Sequence, residues 1–212
     1  MPSPTPAKIC GLTRPVDAEA AVRLGASYLG VIFAGGPRQV DIARAREIRE
    51  AAGQVPVFGV FSSQSREEIL DVRDRAGLAG AQLHGGATAE LVHRLTGDGL
   101  RVLVVTRLTG LEDLPRLDVA RSLGAPVLVE PRVSGSLGGT GVPLSLELAR
   151  AARERLAGHP MLLAGGLTPE SVGDAVRAAR PDAVDVSSGV EQIPGVKDHD
   201  RMARFLEALQ WL

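Results

Sequence analysis

Met161-Leu162-Leu163-Ala164-Gly165-Gly166-Leu167-Thr168-Pro169-Glu170 reads as a strand, a glycine turn and the start of a helix. The apolar run is short enough for a buried strand, and the glycine pair ends it. Thr168-Pro169-Glu170 then supplies an N-cap, a proline at the first helical position and an acid in the first turn, so a helix is expected directly after the strand.

Working outward, similar apolar, β-branched runs recur at 8–10, 28–32, 57–60, 81–83, 102–105, 127–129, 161–164 and 183–186, which makes eight candidate strands. Helical apolar spacing fills the gaps: Ile42, Ala45 and Ile48; Ile69, Leu70 and Ala76; and, after the last strand, Met202, Phe205, Leu206 and Leu209. Parallel strands joined by helices give an open doubly wound sheet or a closed barrel. Eight units in 212 residues favour closure. The expected fold is therefore one (β/α)8 barrel domain over 1–212, with its ligand site at the C-terminal ends of the strands; no linker, low-complexity segment or regular repeat divides it.

Bulk composition narrows the function. Lys+Arg number 24 and Asp+Glu 25, so no net field draws the chain to nucleic acid or to an anionic membrane, and a small molecule is the expected partner. The first eight residues hold Pro2, Pro4 and Pro6 without an apolar targeting core, and no apolar run reaches the roughly 18 residues of a membrane span. A cytoplasmic protein is expected. The single cysteine, Cys10, fits a reducing compartment and is either an inert buried residue or a reactive thiol.

In such barrels phosphate usually sits on the loops after strands seven and eight. Here these are Ala164-Gly165-Gly166-Leu167-Thr168 and Ser187-Ser188-Gly189-Val190. Glycines admit an anion close to the backbone, and N–H groups and serine hydroxyls donate to it; taken singly, either glycine loop is just a tight turn. Cys10 ends strand one at the ligand rim. Lys8 shares its face, and a cation there would favour the thiolate, unless Asp185 on the neighbouring eighth strand neutralises it; both readings stand. Glu130 follows strand six, placed to give or take a proton or else to lie solvated at the surface. It leads into Pro131-Arg132-Val133-Ser134-Gly135-Ser136-Leu137-Gly138-Gly139-Thr140-Gly141, a loop suited to cover a substrate or merely to connect. Arg38 after strand two has the planar fork that binds a carboxylate, and His84 after strand four can hydrogen-bond substrate or tune a neighbour; each is otherwise a surface arginine and a structural histidine.

Lys8-Ile9-Cys10-Gly11-Leu12-Thr13, Gly36-Pro37-Arg38, Gly59-Val60-Phe61, Gln82-Leu83-His84-Gly85, Gly138-Gly139-Thr140-Gly141, Leu163-Ala164-Gly165-Gly166-Leu167, Val184-Asp185-Val186-Ser187-Ser188-Gly189-Val190-Glu191 and Pro194-Gly195-Val196-Lys197-Asp198 together resemble the phosphoribosylanthranilate isomerase family of tryptophan biosynthesis. The resemblance runs in order through nearly the whole chain. It implies a cofactor-free, metal-free Amadori rearrangement of N-(5-phosphoribosyl)anthranilate to 1-(2-carboxyphenylamino)-1-deoxyribulose 5-phosphate, by a monomer or homodimer. It also implies that Cys10 is the base, Glu130 the acid, Arg38 the contact to the anthranilate carboxylate, and Gly165, Gly166, Ser188 and Gly189 part of the phosphate site, which Leu167 and Ser187 flank; His84 joins the substrate contacts.

Four positions depart from the family pattern. Glu130 stands where the family has aspartate, Gly36 where serine is common, Ser62 where asparagine is frequent and Arg132 where lysine is frequent. The glutamate is longer by one carbon–carbon bond of roughly 1.5 Å, and a misplacement of about 1 Å can cost on the order of a hundredfold in rate. Two alternatives are weighed. One is the isomerase barrel of histidine biosynthesis, whose resemblance implies two aspartates and is opposed by Cys10. The other is a barrel that keeps the phosphate cradle but has lost catalysis. Trp211 and Leu212 are expected either to pack on the barrel or to face a second subunit.

Overall fold

The computed structural model describes residues 4–132 and 142–210. The proposed cover over residues 133–141, and Trp211 and Leu212, lie outside the described residues. Eight parallel strands close in sequence order: β1 Ala7–Ile9, β2 Tyr28–Ile32, β3 Val57–Phe61, β4 Gly80–Leu83, β5 Arg101–Leu108, β6 Val127–Pro131, β7 Met161–Leu163 and β8 Ala183–Val186. The barrel is completed where β1 pairs with β8, Lys8 standing opposite Asp185. Closure leaves this sheet without an edge, and the helices cover its outer face.

The helices are α1 Pro15–Arg23, α2 Ile42–Ala51, α3 Arg66–Ala76, α4 Ala89–Gly97, α5 Pro115–Ser122, α6 Leu146–Arg155, α7 Val172–Ala179 and α8 His199–Glu207. Ala45 and Ile48 of α2, Ile69 and Ala76 of α3, and Met202, Phe205 and Leu206 of α8 are buried in the main apolar layer, as their spacing predicts. Sequence-local signals set several helix ends. Ser65 and Glu68 form a reciprocal capping box on α3, which ends at Gly77 with φ +71°. A smaller cluster of Leu103, Leu128 and Ala164, with Val105 and Leu162 against it, packs separately from that layer. Among the described residues no helix is long and apolar enough to cross a membrane.

Three boundaries differ from expectation. Glu130 and Pro131 extend β6 instead of following it, because Glu130 pairs in register with Arg107 of the longer β5. The helix after β7 starts at Val172, not directly after the strand. Thr168 instead opens a turn: its carbonyl accepts from the N–H groups of Ser171 and Val172, and its own N–H donates to the Ser171 hydroxyl. Beyond β8, a short antiparallel hairpin, β9 Glu191–Ile193 and β10 Val196–Lys197, turns at Gly195 with φ +84°. That hairpin sets Glu191 opposite Lys197.

Candidate active site

Lys8 and Cys10 are two residues apart on β1 and its end, so they share a face. Lys8 is 1% exposed. Its ammonium donates to Gln82 of β4 at 2.8 Å and to Asp185 of β8 at 2.7 Å. Since β4 does not adjoin β1, this side chain spans the inside of the barrel. Gly30 of β2 makes the room: a Cβ there would stand 2.8 Å from the Cys10 sulfur and 3.0 Å from the Lys8 nitrogen. Both sequence readings of Lys8 are thus realised at once, as partner of Asp185 and as cation beside the thiol.

The cation beside the thiol does favour its ionised form, but burial opposes it. Burial pushes the Cys10 thiol above its ordinary pKa, and Asp185 adds to the rise. Lys8 and Lys197 pull it down without cancelling that effect. Desolvation of the thiolate outweighs the cations. For Lys8 the balance is reversed: burial disfavours the ammonium, but Asp185 and the cysteine sulfur hold its pKa above the ordinary lysine value.

Glu130 is buried, not solvated. One carboxylate oxygen lies 2.6 Å from Nε2 of His84 and 3.6 Å from Nε of Arg107. His84 follows β4 and Glu130 lies on β6, so the pair bridges over β5, whose Arg107 also donates to the His84 carbonyl at 2.8 Å. His84 therefore orients the carboxyl group.

The glycine loops after β7 and β8 meet backbone to backbone. A Cβ on Gly189 would overlap the Leu167 carbonyl oxygen, and one on Gly165, whose φ is +95°, would overlap the Pro131 ring. Gly165, Gly166, Leu167, Ser187, Ser188 and Gly189 line a cavity that Glu130 and Asp185 also wall. The carboxyl group and the two glycine loops foreseen in the sequence thus open on one space.

Arg38 is buried, and its fork is already engaged. Nε lies 2.9 and 3.1 Å from the two oxygens of Glu191, and Nη2 lies 2.7 Å from one of them. Glu191 also accepts from Lys197 Nζ at 2.8 Å, and Lys197 donates in turn to the Ser187 carbonyl at 3.1 Å. Gly11, with φ +72°, lets this layer close on β1: a Cβ there would meet both Arg38 Cδ and Ser187 Oγ at 2.7 Å. In the sequence Glu191 and Lys197 stand in segments that carry the family resemblance, but neither has a role there. The turn-forming Pro194-Gly195 between Ile193 and Val196 was the available signal for the hairpin that pairs them.

Comparison with known proteins accounts for this arrangement. A family model described as N-(5'phosphoribosyl)anthranilate (PRA) isomerase matches residues 7–208. The N-(5'-phosphoribosyl)anthranilate isomerase of Symbiobacterium thermophilum is 41% identical over 218 residues, covering 95% of this chain and 96% of that protein. The crystal structure of phosphoribosyl anthranilate isomerase from Thermotoga maritima superposes with a TM-score of 0.86 at 34% identity, covering 98% of this chain and 100% of that one. A structure of such an isomerase in complex with reduced 1-(o-carboxyphenylamino)-1-deoxyribulose 5-phosphate gives 0.84 at 32% identity over 98% of this chain and 100% of that one. With a closed barrel, a thiol and a carboxyl group at its mouth and paired glycine loops beside them, the chain belongs to the N-(5'-phosphoribosyl)anthranilate isomerase family.

Proposed function

We propose that Cys10 and Glu130 are the base and acid with which this chain carries out its family's reaction, the isomerisation of N-(5'-phosphoribosyl)anthranilate to the 1-deoxyribulose 5-phosphate in tryptophan biosynthesis. In its protonated form Glu130 gives a proton to the furanose ring oxygen, and the C1′–O bond breaks as the anilino nitrogen pushes in to form an iminium. Cys10, as thiolate, takes the proton from C2′, and those electrons quench the iminium to an enolamine. Tautomerisation gives the ketone. Protons move and no electrons are lost, so the steps balance without an oxidant, reductant or second substrate.

One observation carries this reading: Glu130 and Asp185 wall the same cavity as the Gly165–Leu167 and Ser187–Gly189 backbone, while Asp185 and Lys8 form the ion pair beside Cys10. A sugar whose 5′-phosphate rests on the glycine loops lies between acid and base. His84 fixes the glutamate by holding its carboxyl at hydrogen-bond distance, which offers a way to accommodate the bond by which it exceeds the family's aspartate. We read the whole chain as one catalytic barrel domain working in the cytoplasm.

Side-by-side assay of N-(5-phosphoribosyl)anthranilate and the aminoimidazole carboxamide ribotide of histidine biosynthesis tests the substrate, and Cys10→Ser tests the base. The parent should turn over the first without added metal or nucleotide, and Cys10→Ser should lose at least about a hundredfold in kcat. Parent-like turnover by a folded Cys10→Ser would remove Cys10 from this role.

A further inference from the structure

The Arg38 guanidinium holds a carboxylate supplied by the protein itself. Glu191 occupies the Nε/Nη2 edge at 2.7 to 3.1 Å, so a second carboxylate can be met only through Nη1 and the outer side of Nη2. Arg38, Glu191 and Lys197 are all buried, at 8%, 6% and 1% exposure. One glutamate therefore lies between two buried cations, and the Gly195 N–H at 3.3 Å adds a further donor to it. Lys197 ties this group to the Ser187 carbonyl at the start of the β8 glycine loop. On the other side, Gly11 leaves just the room that Arg38 Cδ and Ser187 Oγ occupy.

From this geometry we infer that Glu191 is a specificity-determining positioning residue: it clamps Arg38 by one edge and Lys197 by its ammonium, fixing the guanidinium for the aromatic carboxylate of the substrate and tying that end of the site to the phosphate loop. The inference rests on the reading of Arg38 as the carboxylate contact. The buried charges explain why such a clamp matters. Without it, a long flexible arginine would have to be ordered at each binding event, and two cations would lack a counter-ion. With Nε and one side of Nη2 held by Glu191, the remaining N–H groups of the guanidinium are the ones left to meet the substrate carboxylate. A phosphosugar without that carboxylate leaves those N–H groups unmet, which gives the clamp its role in selection.

The test compares two probes bound by calorimetry: reduced 1-(o-carboxyphenylamino)-1-deoxyribulose 5-phosphate and its phenylamino counterpart lacking the carboxylate. The parent should prefer the first. Glu191→Gln, shown to be folded by its melting transition, should lose about tenfold or more of that preference, as expected for a misplaced charged hydrogen bond, the first probe weakening by more than the second. An unchanged preference, or equal weakening of both probes, overturns the proposal; equal weakening is what a merely structural role would give. If Glu191→Gln does not fold, Glu191→Asp keeps the charge and shortens the reach, and the same two criteria apply to it with a smaller loss expected. Arg38→Met separates the layers: full preference in that variant sinks the carboxylate assignment itself, whereas loss there with none in the Glu191 variant sinks only the positioning role.

Discussion

The thiol of Cys10 sits between opposing forces, and their order sets a pH dependence. Burial raises its pKa, followed in size by the lowering pull of Lys8, the raising push of Asp185 and the lowering pull of Lys197. The base needs the deprotonated sulfur, and a raised pKa means that this form accumulates only above the ordinary thiol range. Because Cys10 is the only cysteine, alkylation by iodoacetamide reports on it alone. Its rate in the free enzyme should still be climbing above about pH 8.5, the value for an unperturbed thiol. A plateau reached by pH 7 would contradict the burial argument. Residue types were legible in the sequence at this scale, partners much less so. Lys8 and Asp185 were foreseen because adjacent strands fix their register. The Arg38–Glu191 pair joins residues 153 positions apart through a hairpin outside the eight-fold pattern, and His84 reaches Glu130 across an intervening strand.

At the scale of elements, the strands and most helices follow from local pattern: every expected apolar run lies wholly or mostly within an observed strand. Where the pattern failed, a competing local turn or the pairing of a longer neighbouring strand prevailed. Thr168-Pro169 has the composition of a helix start, yet the chain makes a separate turn there before Val172, next to the loop that packs on Gly189. That contact leaves no room for a methyl group. Gly189→Ala must displace the Leu167 carbonyl, so it should open the cradle and weaken inhibition by inorganic phosphate about tenfold or more, by analogy with 1 Å misplacements in other sites. Alkylation of Cys10, at the end of β1, should change less than phosphate inhibition does. Phosphate inhibition as tight as the parent's would show that this close approach is not part of the anion site.

For the whole molecule, carboxylates buried beneath the hairpin after β8, Asp17 and Glu191, are held by cationic and backbone donors. Asp17 accepts from Arg14 at 2.7 and 2.9 Å, from the Lys197 N–H at 3.2 Å and lies 2.9 Å from His199. Burial opposes ionisation of Asp17 and of Glu191, but their donors win and keep both pKa values below the ordinary carboxylate range. Unfolded carboxylates take up protons first as pH falls, so this stabilisation is complete above about pH 5 and is lost through and below about pH 4. Urea midpoints should be level between roughly pH 5 and 6 and fall steeply below about 4. A midpoint that rises on acidification would show that the paired carboxylates do not govern stability.

Ring opening requires an acid at the furanose oxygen, and Glu130 is the group proposed for it. Single-turnover conversion of N-(5-phosphoribosyl)anthranilate by Glu130→Gln, with substrate binding measured on the same preparation, addresses it directly. The amide keeps the length of the side chain and its contact with His84 but has no proton to give to the ring oxygen. Conversion should slow by roughly a hundredfold to ten-thousandfold, the span of general acid catalysis, with binding close to the parent's. A folded Glu130→Gln that converts substrate at the parental rate would contradict the central claim.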